Sequence, residues 1–515
     1  MNNARHFKIH RSSCIIHHFK KYIFKAMKND WFKLLLTGIA ILIMRTTVLA
    51  HTTADGYKIQ IRITEFEKDT IFLGYQLGNQ TFIRDTAVLD KKTGFFTFQK
   101  NDKKLEAGVY LIVTPPDNNY FQIMVSDNEQ HFSLTTSTMD FYGQAKFTGS
   151  KDNDIFYGYM RYLSKKRGEA EAAGALRKTD SLAGSKKLEL LDKEVKAYQA
   201  DLIKKNPTSI SAMLIKTAIE VETPLFLEIT DKEKNEYARY LHYKAHFFDN
   251  FDMGNPALLR TPVLGQRIDS YLDKLTPQHP DSICESLDHI LLLIKPSKET
   301  FQYYFVQYLN KYIKSNVVGF DAVHVHLTRK YIETGLTDEF IPKDNKAKLV
   351  DQATKIFPLL IGKKAPEIKV FKEDNSTISM SDINSKYTIL FFFAPDCGHC
   401  QKQSPFLVEF LQKAKAKNID VKVMAICTYP GPDKMPECWK YVKEKGFGDF
   451  INTVDPYMIS RYKTLYNVET TPQVYVLDAN KTIRSKNIEA KQLEEVLDHI
   501  IQEDNEKLKK GLKGN

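Results

Sequence analysis

Hydrophobic and polar positions change period twice along this chain. From about Gly56 to Thr136 short runs alternate, as in Tyr57-Lys58-Ile59-Gln60-Ile61-Arg62-Ile63, and similar runs recur at 70–75, 95–98, 108–113 and 120–125. A period of two sends successive side chains to opposite faces of a strand, so these runs predict antiparallel strands with one wet face. Pro115-Pro116-Asp117-Asn118-Asn119 reads as a turn. The expectation is an antiparallel β-sandwich over residues 51–145, carrying no nucleophile, base or metal cluster.

Past Gly149-Ser150 apolar residues recur every three or four positions. Helices are predicted over 155–163, then through Leu188, Leu191, Val195, Tyr198 and Leu202, and again at 209–222, 262–274, 286–294, 300–314, 322–334 and 344–357. Residues 146–360 are thus expected to be all-helical. The aromatic run Phe301, Tyr303, Tyr304, Phe305, Tyr308 and Tyr312 reads as core. His324 and His326 stand two apart, which on a helix aims them at different faces and makes them poor joint metal ligands.

From residue 361 strands and helices alternate. Ile389-Leu390-Phe391-Phe392-Phe393 is an uninterrupted apolar run, the signature of a strand buried on both faces. A helix follows it, then strands at 421–426 and 473–478, with helices at 438–444 and 490–503. Such alternation predicts a mainly parallel sheet covered on both sides, an α/β domain over 361–515.

Composition alters this picture at one end only. The chain carries a formal charge of +11, but residues 1–50 hold nine Lys or Arg against Asp30 alone, so that +8 belongs to the leader and +3 to the rest. Nucleic-acid binding is therefore not expected. A basic flank, an apolar core from Leu34 to Met44, and small residues at Val48 and Ala50 predict a secretory signal over 1–50, with Met27 as a second candidate start. Export to an oxidising compartment, the bacterial periplasm or cell envelope, follows.

Four of the six cysteines fall in the last quarter: Cys397, Cys400, Cys427 and Cys438. Cys14 lies in the leader, and Cys284 reads as a buried inert thiol. Phe393-Ala394-Pro395-Asp396-Cys397-Gly398-His399-Cys400 delivers two cysteines from a strand to a helix start, where the first sulfur meets free amides that favour its thiolate. Zinc held by all four cysteines would show two tight pairs, and only one is present. Cys427 and Cys438 are as consistent with a loop-closing disulfide as with two thiols.

With Gly362-Lys363-Lys364-Ala365-Pro366, Pro405 and Thr470-Thr471-Pro472, the Cys-Gly-His-Cys motif resembles the thioredoxin fold and, within it, the exported TlpA-like thiol-disulfide oxidoreductases. The resemblance covers about 363–505. It implies that Cys397 attacks, that Cys400 resolves the mixed disulfide, that Pro472 follows a cis peptide bond, and that Thr471 pairs with a substrate backbone. Gly398 and Pro405 belong to the motif. His399 would add to the stabilisation of the Cys397 thiolate. The implied partners are protein thiols and disulfides and a membrane electron-transfer partner, with no cofactor and no metal. The same order of modules resembles cell-envelope thioredoxin-like proteins.

Three positions depart from that pattern. Phe391 stands where thioredoxins carry a buried acid, Gln403 where TlpA-like proteins often carry Glu, and Asp396 where an aromatic is usual. A carboxylate beside Cys397 would oppose its ionisation. With both proton acceptors missing, a non-catalytic binding or scaffold protein with a vestigial thioredoxin domain is the alternative. Ala394 occupies the position where a peroxiredoxin needs Thr or Ser, which argues against peroxide chemistry.

Overall fold

The computed structural model describes residues 56–512, so the expected leader, with Cys14 and Met27, lies outside the described residues. The chain packs as two compact units: one runs to Leu275 and includes Ile290–Tyr303, the other comprises Thr276–His289 and Tyr304 onward.

In the first unit eight strands, β1 (Tyr57–Thr64), β2 (Thr70–Leu77), β3 (Gln80–Asp90), β4 (Phe95–Lys100), β5 (Gly108–Thr114), β6 (Asn119–Val125), β7 (His131–Ser137) and β8 (Lys146–Thr148), join in the order β6-β5-β2-β3-β4-β1-β7-β8. Ile59 and Ile61 of β1 share one core with Ile71, Tyr110, Ile112, Phe121 and Leu134. Strands from both ends of the order meet there, so the sheet folds over on itself as a sandwich. Its pairs are antiparallel except β1 with β7. Polarity alternation selects the buried face but carries no strand direction, and the strands between β1 and β7 supply the crossover that parallel neighbours require.

Helices α1 (Lys151–Thr179) and α2 (Ser181–Lys205) extend well beyond the predicted segments, and α3 (Ile210–Thr217), α4 (Lys232–Ala245) and α5 (Pro262–Lys274) follow. The outer edge of β6 is closed by α1: Asn153 exchanges hydrogen bonds of 2.8 and 2.7 Å with the Met124 backbone, and the Tyr157 hydroxyl donates to the Gln122 carbonyl at 2.7 Å. Helices α6 (Pro280–Ile294) and α7 (Lys298–Ile313) contribute to both units.

The second unit adds α8 (Asp321–Leu327), α9 (Lys343–Ile356) and the α/β domain. Seven strands, β9 (Lys369–Phe371), β10 (Thr377–Ser379), β11 (Tyr387–Phe393), β12 (Val421–Cys427), β13 (Ile451–Val454), β14 (Gln473–Asp478) and β15 (Ile483–Lys486), join in the order β10-β9-β13-β12-β11-β14-β15. The sheet is mixed rather than mainly parallel: β11–β12 and β12–β13 are parallel, the other pairs antiparallel. Every residue of β11 is buried. Ile389, Phe391 and Phe393 face one core, under α10 (Gly398–Ala416), α11 (Met435–Glu444) and α13 (Leu493–Leu512), while Leu390 and Phe392 face a second core that includes Tyr462 of α12 (Tyr462–Leu465). Buried Lys486 pairs with Asp321 of α8, tying β15 to the helices of this unit.

His324 and His326 engage different partners. His324 is buried near Thr328, whereas His326 Nε2 meets the Asp288 carboxylate at 2.9 Å. Among the described residues no group of three or more His, Cys, Asp or Glu could hold a metal ion, and no helix is long and apolar enough to cross a membrane.

Candidate active site: a dithiol at the start of a helix

Strand β11 ends at Phe393, and within four residues the chain caps α10 with Cys397. Its backbone there is extended (φ −78°, ψ 109°), which turns the side chain back over the first turn, where its Sγ accepts the Cys400 N–H at 3.1 Å. Cys397 is half-buried and Cys400 fully buried, so one sulfur is presented to a partner and the other is kept behind it. Gly398 and His399 are exposed at the helix start, and Pro405 lies inside α10 on its exposed side.

Strand β14 runs antiparallel to β11, so its first residue stands at the dithiol end of the sheet. The Thr471–Pro472 peptide there is cis. The Cys397 thiol donates to the Thr471 carbonyl at 3.2 Å, which brings together residues 74 positions apart.

Electrostatics separate the two sulfurs. Burial pushes the Cys397 thiol up, but hydrogen bonds from the Cys400 thiol, the Thr471 side chain and the backbone N–H groups of Cys400 and His399 outweigh it and hold Cys397 below its ordinary value. Burial, followed by the hydrogen bond to Cys397, pushes Cys400 well above the usual thiol range. The arrangement therefore pairs a nucleophilic thiolate with a buried thiol. His399 acts on Cys397 through its backbone N–H, while its ring lies in solvent.

The three departures take on structural meaning here. Phe391 is fully buried, stacked 5.7 Å from Phe393 and edge-on to Phe447 at 6.2 Å, so a ring occupies this position in an apolar core. Gln403 is engaged elsewhere, its Oε1 accepting the Ala490 N–H at 2.7 Å. Asp396 engages Tyr429, whose phenol is pushed up first by burial and then by its hydrogen bond to this carboxylate.

Sequence reading missed the wall behind Cys400. Tyr441 of α11 is buried, stacks on Phe393 at 5.1 Å, and shares a 2.8 Å hydrogen bond with Ser404, whose hydroxyl donates to the Cys400 carbonyl at 2.9 Å. Burial pushes this phenol up to about 12, the Ser404 hydrogen bond opposes it, and negative charge on Cys400 or Cys397 adds to it. One turn earlier on α11, Cys438 is joined to Cys427 by a disulfide whose Cα atoms lie 6.1 Å apart. A cysteine and a tyrosine three apart on a helix share a face, and that spacing was the available signal.

Comparison with known proteins finds family matches in three segments of the chain. Residues 361–486 match the AhpC/TSA family; residues 199–349 match a domain of unknown function, DUF5106, and residues 57–156 another, DUF4369. No curated protein matches the chain. Among solved structures, the chain is similar to a domain of a possible thiol-disulfide isomerase from Cytophaga hutchinsonii, at 34% identity over 31% of this chain and 99% of that one, with a TM-score of 0.26. It is also similar to a thioredoxin-like protein from Bacteroides caccae, at 18% identity over 55% and 99% of the two chains with a TM-score of 0.41. A thiol:disulfide interchange protein from Bacteroides sp. matches at 18% identity over 28% and 90%, with a TM-score of 0.25.

Proposed function

This chain belongs, through residues 361–486, to the thioredoxin-like AhpC/TSA family, and from that premise we propose that it is a thiol-disulfide oxidoreductase working through Cys397 and Cys400. The Cys397 thiolate attacks one sulfur of a protein disulfide, forming a mixed disulfide and releasing the other sulfur as a thiolate that takes up a proton. Cys400 then loses its proton and attacks Cys397 Sγ. The Cys397–Cys400 disulfide forms, and the substrate leaves reduced; the reverse sequence oxidises a dithiol substrate. Thr471, beside Cys397 and ahead of Pro472, offers backbone groups to an extended substrate segment.

The observation that carries this reading is the Cys397 sulfur capping α10, with the Cys400 N–H at 3.1 Å and the Thr471 carbonyl at 3.2 Å. The basic and apolar pattern of residues 1–50 supports export, with the periplasm or cell envelope as the place of action and a membrane electron-transfer protein as the partner that resets the dithiol. The chain is then organised as modules at 51–145, 146–360 and 361–515. Insulin-disulfide reduction by the full chain should vanish in Cys397→Ser, whereas Cys400→Ser should accumulate a mixed disulfide. Unchanged insulin reduction in Cys397→Ser would favour the scaffold alternative, which draws its support from Phe391 and Gln403.

A further inference from the structure

Resolution of the mixed disulfide requires Cys400 to ionise in a buried site, and neither usual proton acceptor is there to help. Phe391 fills one position with a ring, and Gln403 is committed to Ala490. Two buried hydroxyls, Ser404 on α10 itself and Tyr441 on α11, link the turn carrying Cys400 to the neighbouring helix. Tyr441 and Ser404 hydroxyls stand 2.8 Å apart, the Ser404 hydroxyl lies 2.9 Å from the Cys400 carbonyl, and all three residues are buried. Such a chain has one outward anchor, the phenol, and one inward end, the backbone of the resolving cysteine.

What holds α11 in place is also visible. The helix has ten residues and is reached through Pro430, Gly431 (φ 94°) and Pro432, a segment with little secondary structure of its own. The Cys427–Cys438 disulfide bolts it to the C-terminal end of β12. Cys427 stands in register opposite Phe393, the ring on which Tyr441 stacks. Both cysteines are 1% exposed, so this disulfide is screened from outside thiols.

We propose that Tyr441, acting through Ser404, is a positioning residue for the resolving thiol Cys400, and that the buried Cys427–Cys438 disulfide is the brace that keeps it there. This deepens the oxidoreductase reading and rests on it. The hydroxyl pair fixes the first turn of α10 so that Cys400 faces Cys397. Its hydrogen bonds end on the Cys400 carbonyl, so the pair acts on the placement of the resolving thiol, which a phenyl ring at this position cannot do. The attack by Cys397 on a substrate does not involve the pair.

The two steps can be read separately with glutathione disulfide as the probe. The reduced full chain forms Cys397–glutathione and releases one glutathione. Cys400 then loses its proton, bonds to Cys397 and releases the second glutathione, which takes up a proton, so one dithiol is oxidised and one glutathione disulfide becomes two thiols. Rapid acid quenching and mass spectrometry measure both rates. In Tyr441→Phe, which keeps the ring on Phe393, adduct formation should match the parent while its resolution slows about fivefold, the size of one hydrogen bond. Ser404→Ala should slow the same step, and the double variant should be no slower than the slower single one, because the two act in one chain. Resolution at the parental rate in Tyr441→Phe, or equal slowing of both steps, would overturn the proposal. Absence of any Cys397 adduct in the parent chain would instead overturn the oxidoreductase reading beneath it.

Discussion

Two neighbouring strands of one sheet each lead to a cysteine, and the two cysteines have opposite chemistry. Strand β11 runs out at Phe393 and passes through Ala394-Pro395-Asp396 to Cys397, which caps a 19-residue helix. Strand β12 ends on Cys427 itself, inside the core, where it is joined to Cys438. Three residues of lead separate a half-buried sulfur among amide donors from one that is 1% exposed among rings. A helix N-terminus stabilises a thiolate, whereas an apolar core disfavours any charge and suits a neutral, bonded sulfur. Reactivity at this edge of the sheet is thus decided by where each strand stops.

The largest break in that comparison is Cys397→Ser, which should reduce disulfide exchange to background. A serine on the β12 side should not: Cys427→Ser combined with Cys438→Ser should cost about 2–4 kcal/mol of unfolding free energy in a denaturant titration, while the rate of Cys397 adduct formation holds. Smaller still is Gln403→Ala. Loss of its 2.7 Å hydrogen bond to the Ala490 N–H should cost about 1 kcal/mol and leave both exchange steps unchanged, which marks Gln403 as a tie between α10 and the turn before α13. Least of all, Asp396→Asn should move the midpoint of Cys397 alkylation by less than about 0.3 of a pH unit, since Tyr429 already holds that carboxylate. A larger move would show that the charge reaches the sulfur.

How much of this could be read from the chain depended on whether the information was local. The apolar run of β11, the Cys-x-x-Cys behind it and Thr471-Pro472 are contiguous patterns, and they emerge as one site. β3 went unseen because most of its residues are exposed, with Thr81, Arg84, Asp85 and Thr86 interrupting any alternation. α4 was missed for a related reason: none of its residues is buried, and its few rings and Leu241 stand among charged residues. The long α1–α2 pair was legible only over 155–163 and from Leu188 to Leu202, where apolar residues recur at helical spacing, and elsewhere its surface is largely charged. The partnership of Ser404 with Tyr441 spans 37 positions, and that of Gln403 with Ala490 spans 87. Hydrogen bonds of that span depend on how the sheet brings its loops together, which no short window of sequence contains. The Cys427–Cys438 link was undecided for the same reason, since composition alone does not say that β12 buries its last residue.

The most direct measurement is the rate of iodoacetamide alkylation at Cys397 and Cys400 against pH in the reduced full chain, read by peptide mass spectrometry. Because the site depresses Cys397 and raises Cys400, the thiolate of Cys397 persists as pH falls and is lost only on passing through its lowered value. Alkylation of Cys397 should therefore be half-maximal below the midpoint of free cysteine, about 8.5, with Cys400 unlabelled across the same range. A midpoint at or above that of free cysteine, or equal labelling of the two sulfurs, would contradict the assignment of Cys397 as the exchanging thiolate.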